Sequence, residues 1–328
     1  MTKPPARDFG VASGGLISYL AAVKAIQPAL LVGAAALFVV AQNPSGEQPP
    51  SGALEKITAA IPGKPYAKPA KPRTVLVFSA TNGFRHASIA TGKLALTELG
   101  RVTGAFETVI SDDLANFEAD KLARFDAVCF LSTTNEVFMP RKDEFAKLSP
   151  EKQKEATARD ARIKANLMAY VKGGKGFVGI HAATDTFYEW PEYGKMINGC
   201  FDGHPWGAGT PVSIKVEPGQ EKHPLVAMLE GKNLEFKEEI YQLRDPYDSK
   251  AVHMLLRLDT EKTNMTLPGI KRKDNDFGVA WARHWEKGRV FYCSVGHNHE
   301  MFWNPKVLGH YLAGIQWALG DLKAEVKR

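Results

Sequence analysis

Short apolar stretches that alternate with helical ones are the feature that most constrains how this chain can fold. Residues 74–79 (TVLVFS) and 177–181 (FVGIH) are mostly apolar, often β-branched, and have no long polar interruption. Such runs are typical of strands covered on both faces, as in a parallel sheet. Residues 106–110 and 126–131 add two strands between them. This order predicts right-handed βαβ units, and therefore an α/β fold whose sheet is mostly parallel with helices on both faces.

The stretches between these strands have recognisable helix boundaries. Ser88 is expected to begin a helix over residues 89–99 that Gly100 ends, because serine favours helix starts and glycine favours helix ends. Residues 139–160 are polar and charged, which indicates a surface insertion leading into a helix that ends near Val171.

The pattern changes after Gly207, where strands follow one another with few helices between them. We expect them to extend the same sheet, partly in antiparallel fashion, or to form a small appended layer. They cover residues 212–216, 234–240, 252–258, 279–284 and 290–294. A last helix over residues 305–319 carries apolar residues at helical spacing.

The beginning of the chain has the pattern of an export signal. Scattered basic residues precede an apolar stretch over residues 28–41, which is shorter than the roughly 20 residues of a membrane span. The small side chain of Ala41 fits a cleavage site, so residues 1–41 are predicted to be a signal peptide. An uncleaved signal anchor is the alternative, with residues 16–41 as a membrane tether. In both cases we expect an exported protein in the periplasm, the cell envelope or the medium.

A proline-rich segment follows this signal. Residues 42–72 contain seven prolines, a composition typical of an extended chain that cannot pack a core. The sequence therefore predicts a linker over residues 42–72, which tethers a folded domain over residues 73–324.

The basic charge of the chain is concentrated before that domain. The net charge is +6, and residues 1–72 hold seven Lys or Arg against three Asp or Glu, which is +4. The remaining +2 is spread along the domain without a basic stripe, so we expect no nucleic-acid partner.

The chain has three cysteines, too few for a disulfide framework. Cys129 and Cys293 lie in apolar runs and are expected to be buried free thiols. A single disulfide that involves Cys200 stays open.

Polar and aromatic side chains follow the predicted strands. Ligands of doubly wound sheets bind at the carboxyl ends of the strands, where a packed core has no need of histidines and carboxylates. His181, Glu239 and His297 are predicted to be catalytic through acid–base chemistry. Together with His204 they are also a candidate ligand set for a divalent metal such as zinc. The candidates for substrate binding are Asn82, Arg85, His86, Asp185, Tyr188, His204, Trp206 and Trp303.

Several of these candidates also have a structural explanation. His181, at the end of a buried strand, could be a hydrogen-bonded core histidine. His86 could cap the following helix, His204 could be a plain turn residue, and the tryptophans could pack in the core. Glu239 could pair with Arg244. Glu238 and Glu239 are neighbours on a predicted strand, so at most one of them should point into a site.

The turn after the strand over residues 177–181 bears on the type of chemistry. In class I glutamine amidotransferase-like folds this turn presents a cysteine nucleophile, whereas here it holds His181 with no Ser or Cys beside it. This argues against thioester or acyl-ester chemistry. A histidine at this place can bind a metal or move a proton.

Several segments, in the same order, resemble the ThuA-like (trehalose-utilisation) family. They are residues 77–89 (VFSATNGFRHASI), 176–206, 238–241 and 288–303. The resemblance implies a class I glutamine amidotransferase-like, flavodoxin-like fold without the amidotransferase nucleophile. It also implies a carbohydrate context that includes 3-keto sugars. By position, the residues that match are Arg85, His86, His181, Asp185, His204, Glu239 and His297.

Three functions follow as hypotheses. The first is an enzyme that acts on a disaccharide or keto-sugar by His/Glu acid–base or metal-assisted chemistry, as an isomerase, lyase or hydrolase. The second is a non-catalytic sugar-binding module of the cell envelope. The third is a residual amidohydrolase, which the missing nucleophile opposes. The expected partner is a small carbohydrate, and a homo-oligomer is left open.

Overall fold

The computed structural model of the protein describes residues 47–327. The predicted export signal over residues 1–41 lies outside the described residues. Within residues 47–327, no helix combines the length and the apolar character that crossing a bilayer requires.

Seven α-helices and eleven strands make up the described part of the chain. The helices are α1 (Ala53–Ala60), α2 (Ile89–Thr103), α3 (Ala119–Leu122), α4 (Lys142–Phe145), α5 (Pro150–Lys172), α6 (Pro191–Ile197) and α7 (Pro305–Ala318). The strands are β1 (Thr74–Phe78), β2 (Glu107–Ile110), β3 (Ala127–Leu131), β4 (Gly176–Ile180), β5 (Cys200–Phe201), β6 (Pro211–Val216), β7 (Leu234–Lys237), β8 (Leu243–Arg244), β9 (His253–Leu258), β10 (Gly278–Trp285) and β11 (Gly288–Cys293).

Nine of the strands form one sheet in the order β2-β1-β3-β4-β11-β10-β9-β6-β7. The strands from β2 to β11 in this order are parallel to one another. The others each pair in antiparallel fashion and extend the sheet on the β11 side. The predicted α/β fold with extra C-terminal strands is therefore confirmed. A separate ribbon of β5 and β8 was not expected, because strands of two residues leave no periodic signal.

Both faces of the sheet are covered, as the apolar runs predicted. In β1, Val75 and Val77 face a core that includes residues of α2 and α7. Leu76 and Phe78 face the opposite core, which includes residues of α5 and α6. This alternation explains why the run over residues 74–79 has no polar face.

The proline-rich segment is not wholly extended, and this part of the linker prediction is wrong. Ala53–Ala60 forms α1, whose Ile57 is fully buried in the core beside α2. The prolines lie before and after this helix, and apolar residues at Ala53, Ile57 and Ile61 give it a buried stripe. Further along, the Tyr66 backbone N–H donates to Gln316 Oε1 at 2.8 Å, so this segment packs on the domain.

The boundaries of α2 also differ from the prediction. The helix passes through Gly100 and ends at Thr103, followed by Gly104, whose φ of 66° is left-handed. A Cβ at Gly100 would lie 2.4 Å from the Phe106 carbonyl oxygen, so glycine serves close packing there and does not end the helix. Ser88 does not cap the helix, since its hydroxyl donates to the Gly296 carbonyl at 2.9 Å.

Two further features of the sequence, the polar stretch over residues 139–160 and the three cysteines, can be located in the structure. The polar stretch over residues 139–160 contains α4 and the first half of α5, which Ser149 caps. All three cysteines are buried and free, so Cys200 forms no disulfide within the chain.

Candidate functional site

Three histidines and one glutamate meet at the carboxyl ends of the parallel strands. His86 follows β1, His181 follows β4 and His297 follows β11, while Glu239 follows the edge strand β7. One ligand atom from each of these four side chains lies within 4.8 Å of the others. We call this set the His/Glu cluster.

His181 is the most deeply buried histidine of the cluster and lies on a turn with a strained backbone conformation. Its φ is +53°, unusual for a residue with a side chain, and it begins a turn of 3₁₀ helix directly after β4. Its side chain is fully buried, with Nδ1 2.8 Å from the Ser294 carbonyl oxygen. Because a carbonyl only accepts, Nδ1 carries the proton and the lone pair of Nε2 points toward Glu239 and Tyr241.

Glu239 joins the histidines to each other. Its Oε1 lies 3.1 Å from His297 Nδ1 and 3.6 Å from His181 Nε2. Its Oε2 lies 3.3 Å from Nδ1 of His204, whose side chain is half exposed at the rim. The alternative partner Arg244 instead lies over the Tyr188 ring, 5.5 Å from its centroid.

Glu238 supports the cluster from behind. The carboxylate is buried and accepts the backbone N–H groups of Gly296, His297 and Asn298 at 2.8, 2.6 and 3.1 Å. Burial raises the pKa of Glu238 to about 7, although these N–H groups oppose the rise. As expected, only one of the neighbouring glutamates reaches the cluster, while the other holds the loop that carries His297.

His86 closes the cluster from the side of β1. It is 3% exposed, and its ring meets the edges of the His181 and His297 rings at centroid distances of 4.5 and 5.1 Å. Its Nδ1 is buried without a hydrogen-bond partner. Burial, with help from the neighbouring imidazoles, lowers the pKa of His86 to about 3.

The pKa values of the other two histidines of the cluster, His181 and His297, are shifted in opposite directions. Burial and the adjacent histidines lower the pKa of His181 well below its usual value. Burial also opposes protonation of His297, but Glu239 and Glu238 outweigh it and raise the pKa of His297. The cluster thus combines neutral, lone-pair-bearing imidazoles with one imidazole that a carboxylate holds ready for a proton.

Asp185 and Tyr188 form the rim next to the cluster. The Tyr188 hydroxyl donates a short hydrogen bond to Asp185 Oδ1. Burial raises the pKa of Asp185 to about 6; the hydrogen bond from Tyr188 opposes this rise, and the charge of Glu239 adds to it. A carboxyl group with this pKa can both accept and donate a proton near neutral pH.

Two of the predicted binding residues, Asn82 and Arg85, hydrogen-bond to other parts of the protein. Asn82 donates to the Glu136 and Met139 carbonyls, and so braces a loop. Arg85 pairs with Glu47. These contacts orient the two side chains, and their role in substrate binding stays a prediction.

The two tryptophans that were predicted to bind substrate, Trp206 and Trp303, do not line the cluster. Trp206 is fully buried, and its Nε1–H donates to the Asn264 carbonyl at 2.9 Å, so its prediction as a substrate-binding residue is wrong. Trp303 stacks on His299 and lies under Lys56 of α1. The residues around a tryptophan do not reveal from sequence alone whether its ring points into the core or into a site.

Phe84 is an aromatic residue that the sequence-based site selection missed. It is 64% exposed, and its ring edge meets His86 at a centroid distance of 4.8 Å. The signal for it was its position in a polar loop, two residues before a selected histidine. Tyr241, whose hydroxyl is 3.4 Å from His181 Nε2, was also missed, although it lies two residues after the selected Glu239.

Comparison with known proteins gives a family and a fold. The family model ThuA, described as trehalose utilisation, matches residues 74–318. The solved structure of a ThuA-like protein from Bacteroides uniformis is 21% identical with a TM-score of 0.57, covering 77% of this chain and 94% of that one. A ThuA-like protein from Parabacteroides merdae is 15% identical with a TM-score of 0.47, covering 78% and 93%. A cytoplasmic protein from Salmonella typhimurium is 12% identical with a TM-score of 0.45, covering 73% and 97%. No curated protein matches the chain.

Proposed function

The chain belongs to the ThuA, or trehalose-utilisation, family, whose model matches well over half of its length, and from this premise we propose that it is an enzyme acting on a disaccharide or a keto-sugar. The observation that carries the proposal is the His/Glu cluster with Asp185 at its rim. Burying several ionisable side chains together costs folding free energy, and proteins keep such arrangements mainly at functional sites.

Burial decides which side chains can touch a sugar. His297 and Asp185 are partly exposed, whereas His181 has no exposed surface. We therefore assign proton transfer to His297 and Asp185. Glu239 and His181, which the sequence suggested as direct participants, act as positioning residues: Glu239 raises the pKa of His297, and His181 packs against its ring.

A keto-sugar suits these groups. The C–H bond next to a ketone carbonyl is acidic, so the Asp185 carboxylate can take that proton while the His297 imidazolium gives its proton to the carbonyl oxygen. The carbon loses one proton and the oxygen gains one, which yields an enediol. Return of a proton to the neighbouring carbon gives an isomer, and loss of a leaving group one carbon further gives elimination.

Two other functions have weaker support. A non-catalytic sugar-binding module is favoured by Phe84, an exposed ring of the kind that stacks on sugars. A residual amidohydrolase is opposed by the absence of a thiol at the His181 turn, because the three cysteines are buried elsewhere. Export of the protein, suggested by residues 1–41, is a proposal that accompanies the first two functions.

Proton exchange tests the proposal directly. The protein is incubated in D₂O with trehalose, other disaccharides and their 3-keto forms, and NMR follows loss of the proton next to the carbonyl together with any new product. We expect exchange with a keto-sugar, and a loss of at least about 100-fold in His297→Gln.

A matched control uses another buried histidine. His310→Gln, on α7 and outside the cluster, should exchange like the unmodified protein. Binding of sugars without exchange or product would favour the binding module, and release of ammonia from glutamine would favour the amidohydrolase. Equal exchange in His297→Gln and His310→Gln would refute the assigned role.

A further inference from the structure

We infer that His86, His181, His297 and Glu239 bind one divalent first-row transition-metal ion, for which zinc is the first probe. The inference deepens the proposed function, on which its catalytic meaning rests. In the metal-bound protein His297 would be a neutral ligand, and the ion, in place of the His297 proton, would polarise the carbonyl oxygen of the sugar. It also changes the ligand set that the sequence suggested, since His86 takes the place of His204.

Convergence of the donor atoms is the first support. The four ligand atoms lie within 4.8 Å of one another, although they come from loops after four different strands. Ligand atoms of a tetrahedral zinc ion lie roughly 3.3 Å apart, as follows from Zn–N distances of about 2.0–2.1 Å. The contacts of Glu239 Oε1 at 3.1 and 3.6 Å already lie near that spacing.

The direction of the lone pairs is the second support. The Ser294 carbonyl fixes the proton of His181 on Nδ1, which leaves the Nε2 lone pair facing Glu239. Metal-binding histidines commonly donate their other N–H to a carbonyl or carboxylate in this way. Glu238 adds a second layer, since it holds the backbone on both sides of His297.

Unpartnered nitrogens are the third and independent support. His86 Nδ1 is buried with no hydrogen-bond partner, in a residue that is only 3% exposed. His297 Nδ1 lies 3.1 Å from Glu239 Oε1, yet the pair lacks hydrogen-bond alignment. Two atoms that approach each other without alignment are expected where both point at a common third position.

The chemistry of the donors narrows the type of ion. Imidazoles with one carboxylate suit zinc, iron, nickel, cobalt or manganese, whereas calcium and magnesium prefer oxygen ligands throughout. His204 remains outside because it is half exposed and contacts only the other oxygen of Glu239. From the rim it can meet a substrate that reaches the ion.

The test measures metal directly. The full chain is purified without chelator and without a metal-affinity column, and its metal content is determined by mass spectrometry. A second sample is stripped with chelator, and zinc, cobalt, manganese and magnesium are titrated by calorimetry. We expect one zinc or cobalt ion per chain, no magnesium binding, and a visible cobalt spectrum typical of nitrogen and oxygen ligands.

Variants separate the two ligand sets. Glu239→Gln and His86→Gln should lose the ion, whereas His204→Gln should keep it, and circular dichroism checks that each variant is folded. Glu238→Gln should weaken metal binding by about 10–100-fold, the usual effect of a residue behind the ligands. His310→Gln is the control for loss of a buried imidazole and should bind as the unmodified protein does.

Each outcome tests either the metal site or the proposed function. The inference is overturned if the stripped, folded protein binds none of the transition metals, or if His86→Gln binds zinc as tightly as the unmodified protein. Sugar turnover by a folded protein that binds none of the transition metals would overturn the metal site and leave the proposed function in place. A stoichiometric ion without turnover of any sugar would support the metal site and remove the proposed function.

Discussion

Gly296 should be intolerant of a side chain, and Gly296→Ala tests how the cluster is held together. The residue has a φ of +141°, a conformation that favours glycine, and it lies next to His297. A Cβ there would meet His181 Cβ and Ile180 Cγ2 at 3.2 Å and the Tyr311 hydroxyl at 3.3 Å. These neighbours are themselves buried, so they have little room to move.

The expected cost has two parts. The unfavourable φ costs about 1–3 kcal/mol, and crowding of a packed interior costs about 1–3 kcal/mol more. We therefore expect Gly296→Ala to lower the free energy of unfolding by about 2–6 kcal/mol, which for a domain of this size lowers Tm by at least about 5 °C. Because Gly296 adjoins both His181 and His297, proton exchange on a keto-sugar should also fall.

A second glycine isolates the backbone part. Gly219 has a φ of +84°, but no atom lies within 4 Å of the point that a Cβ would occupy, so Gly219→Ala carries only the conformational cost of about 1–2 kcal/mol. Thermal and urea denaturation of both variants, with the exchange assay at a temperature where both are folded, give the comparison. If Gly296→Ala matches Gly219→Ala in stability and keeps full exchange, the reasoning about a crowded, rigid cluster is refuted.

Three further predictions address single residues. Burial lowers the pKa of His310 to about 4, below its unfolded value of about 6.5, so its contribution is present above pH 6.5 and is lost as the pH falls toward 4. Urea denaturation at pH 7 and pH 5 should therefore show that the unmodified protein loses about 2 kcal/mol more than His310→Gln, and equal losses would contradict this. Trp206→Phe should lower the free energy of unfolding by about 1–3 kcal/mol, because the hydrogen bond to Asn264 is lost. The rate of proton exchange by the folded protein should stay the same. A changed exchange rate would show that Trp206 is part of the site. Phe84→Ala should leave stability within about 0.5 kcal/mol and raise KM for the sugar with kcat little changed, whereas an unchanged KM would show that the ring does not contact the substrate.

The sheet was predictable because its signals are local. A strand such as β4 is covered on both faces and must be apolar throughout, which a short window of sequence reveals. The helix α1 was missed because the prolines around it dominate the composition, although the apolar spacing of Ala53, Ile57 and Ile61 was present. The helix has only 8 residues, so its apolar spacing had little effect on the composition of the whole proline-rich segment.

The sequence predicted which strand ends form the site, but not which side chains belong to it. His181 and His297 follow the neighbouring strands β4 and β11, so the topology alone brings them together. The choice between His86 and His204 depends on how two loops fold over the sheet, and nothing in the spacing of the sequence records that. Trp206 illustrates the same limit, because its direction follows from a bond to the distant Asn264 carbonyl.

The place of β7 at the far edge of the sheet has a consequence for how such proteins can change. The parallel half contributes all the imidazoles of the cluster, whereas both carboxylates, Glu238 and Glu239, arrive on the segment that leaves the outermost antiparallel strand. A chain trimmed to its parallel half would therefore keep the three histidines of the cluster and Asp185, but lose Glu238 and Glu239. Sequence changes in the antiparallel half should therefore affect the site through the position of these two carboxylates.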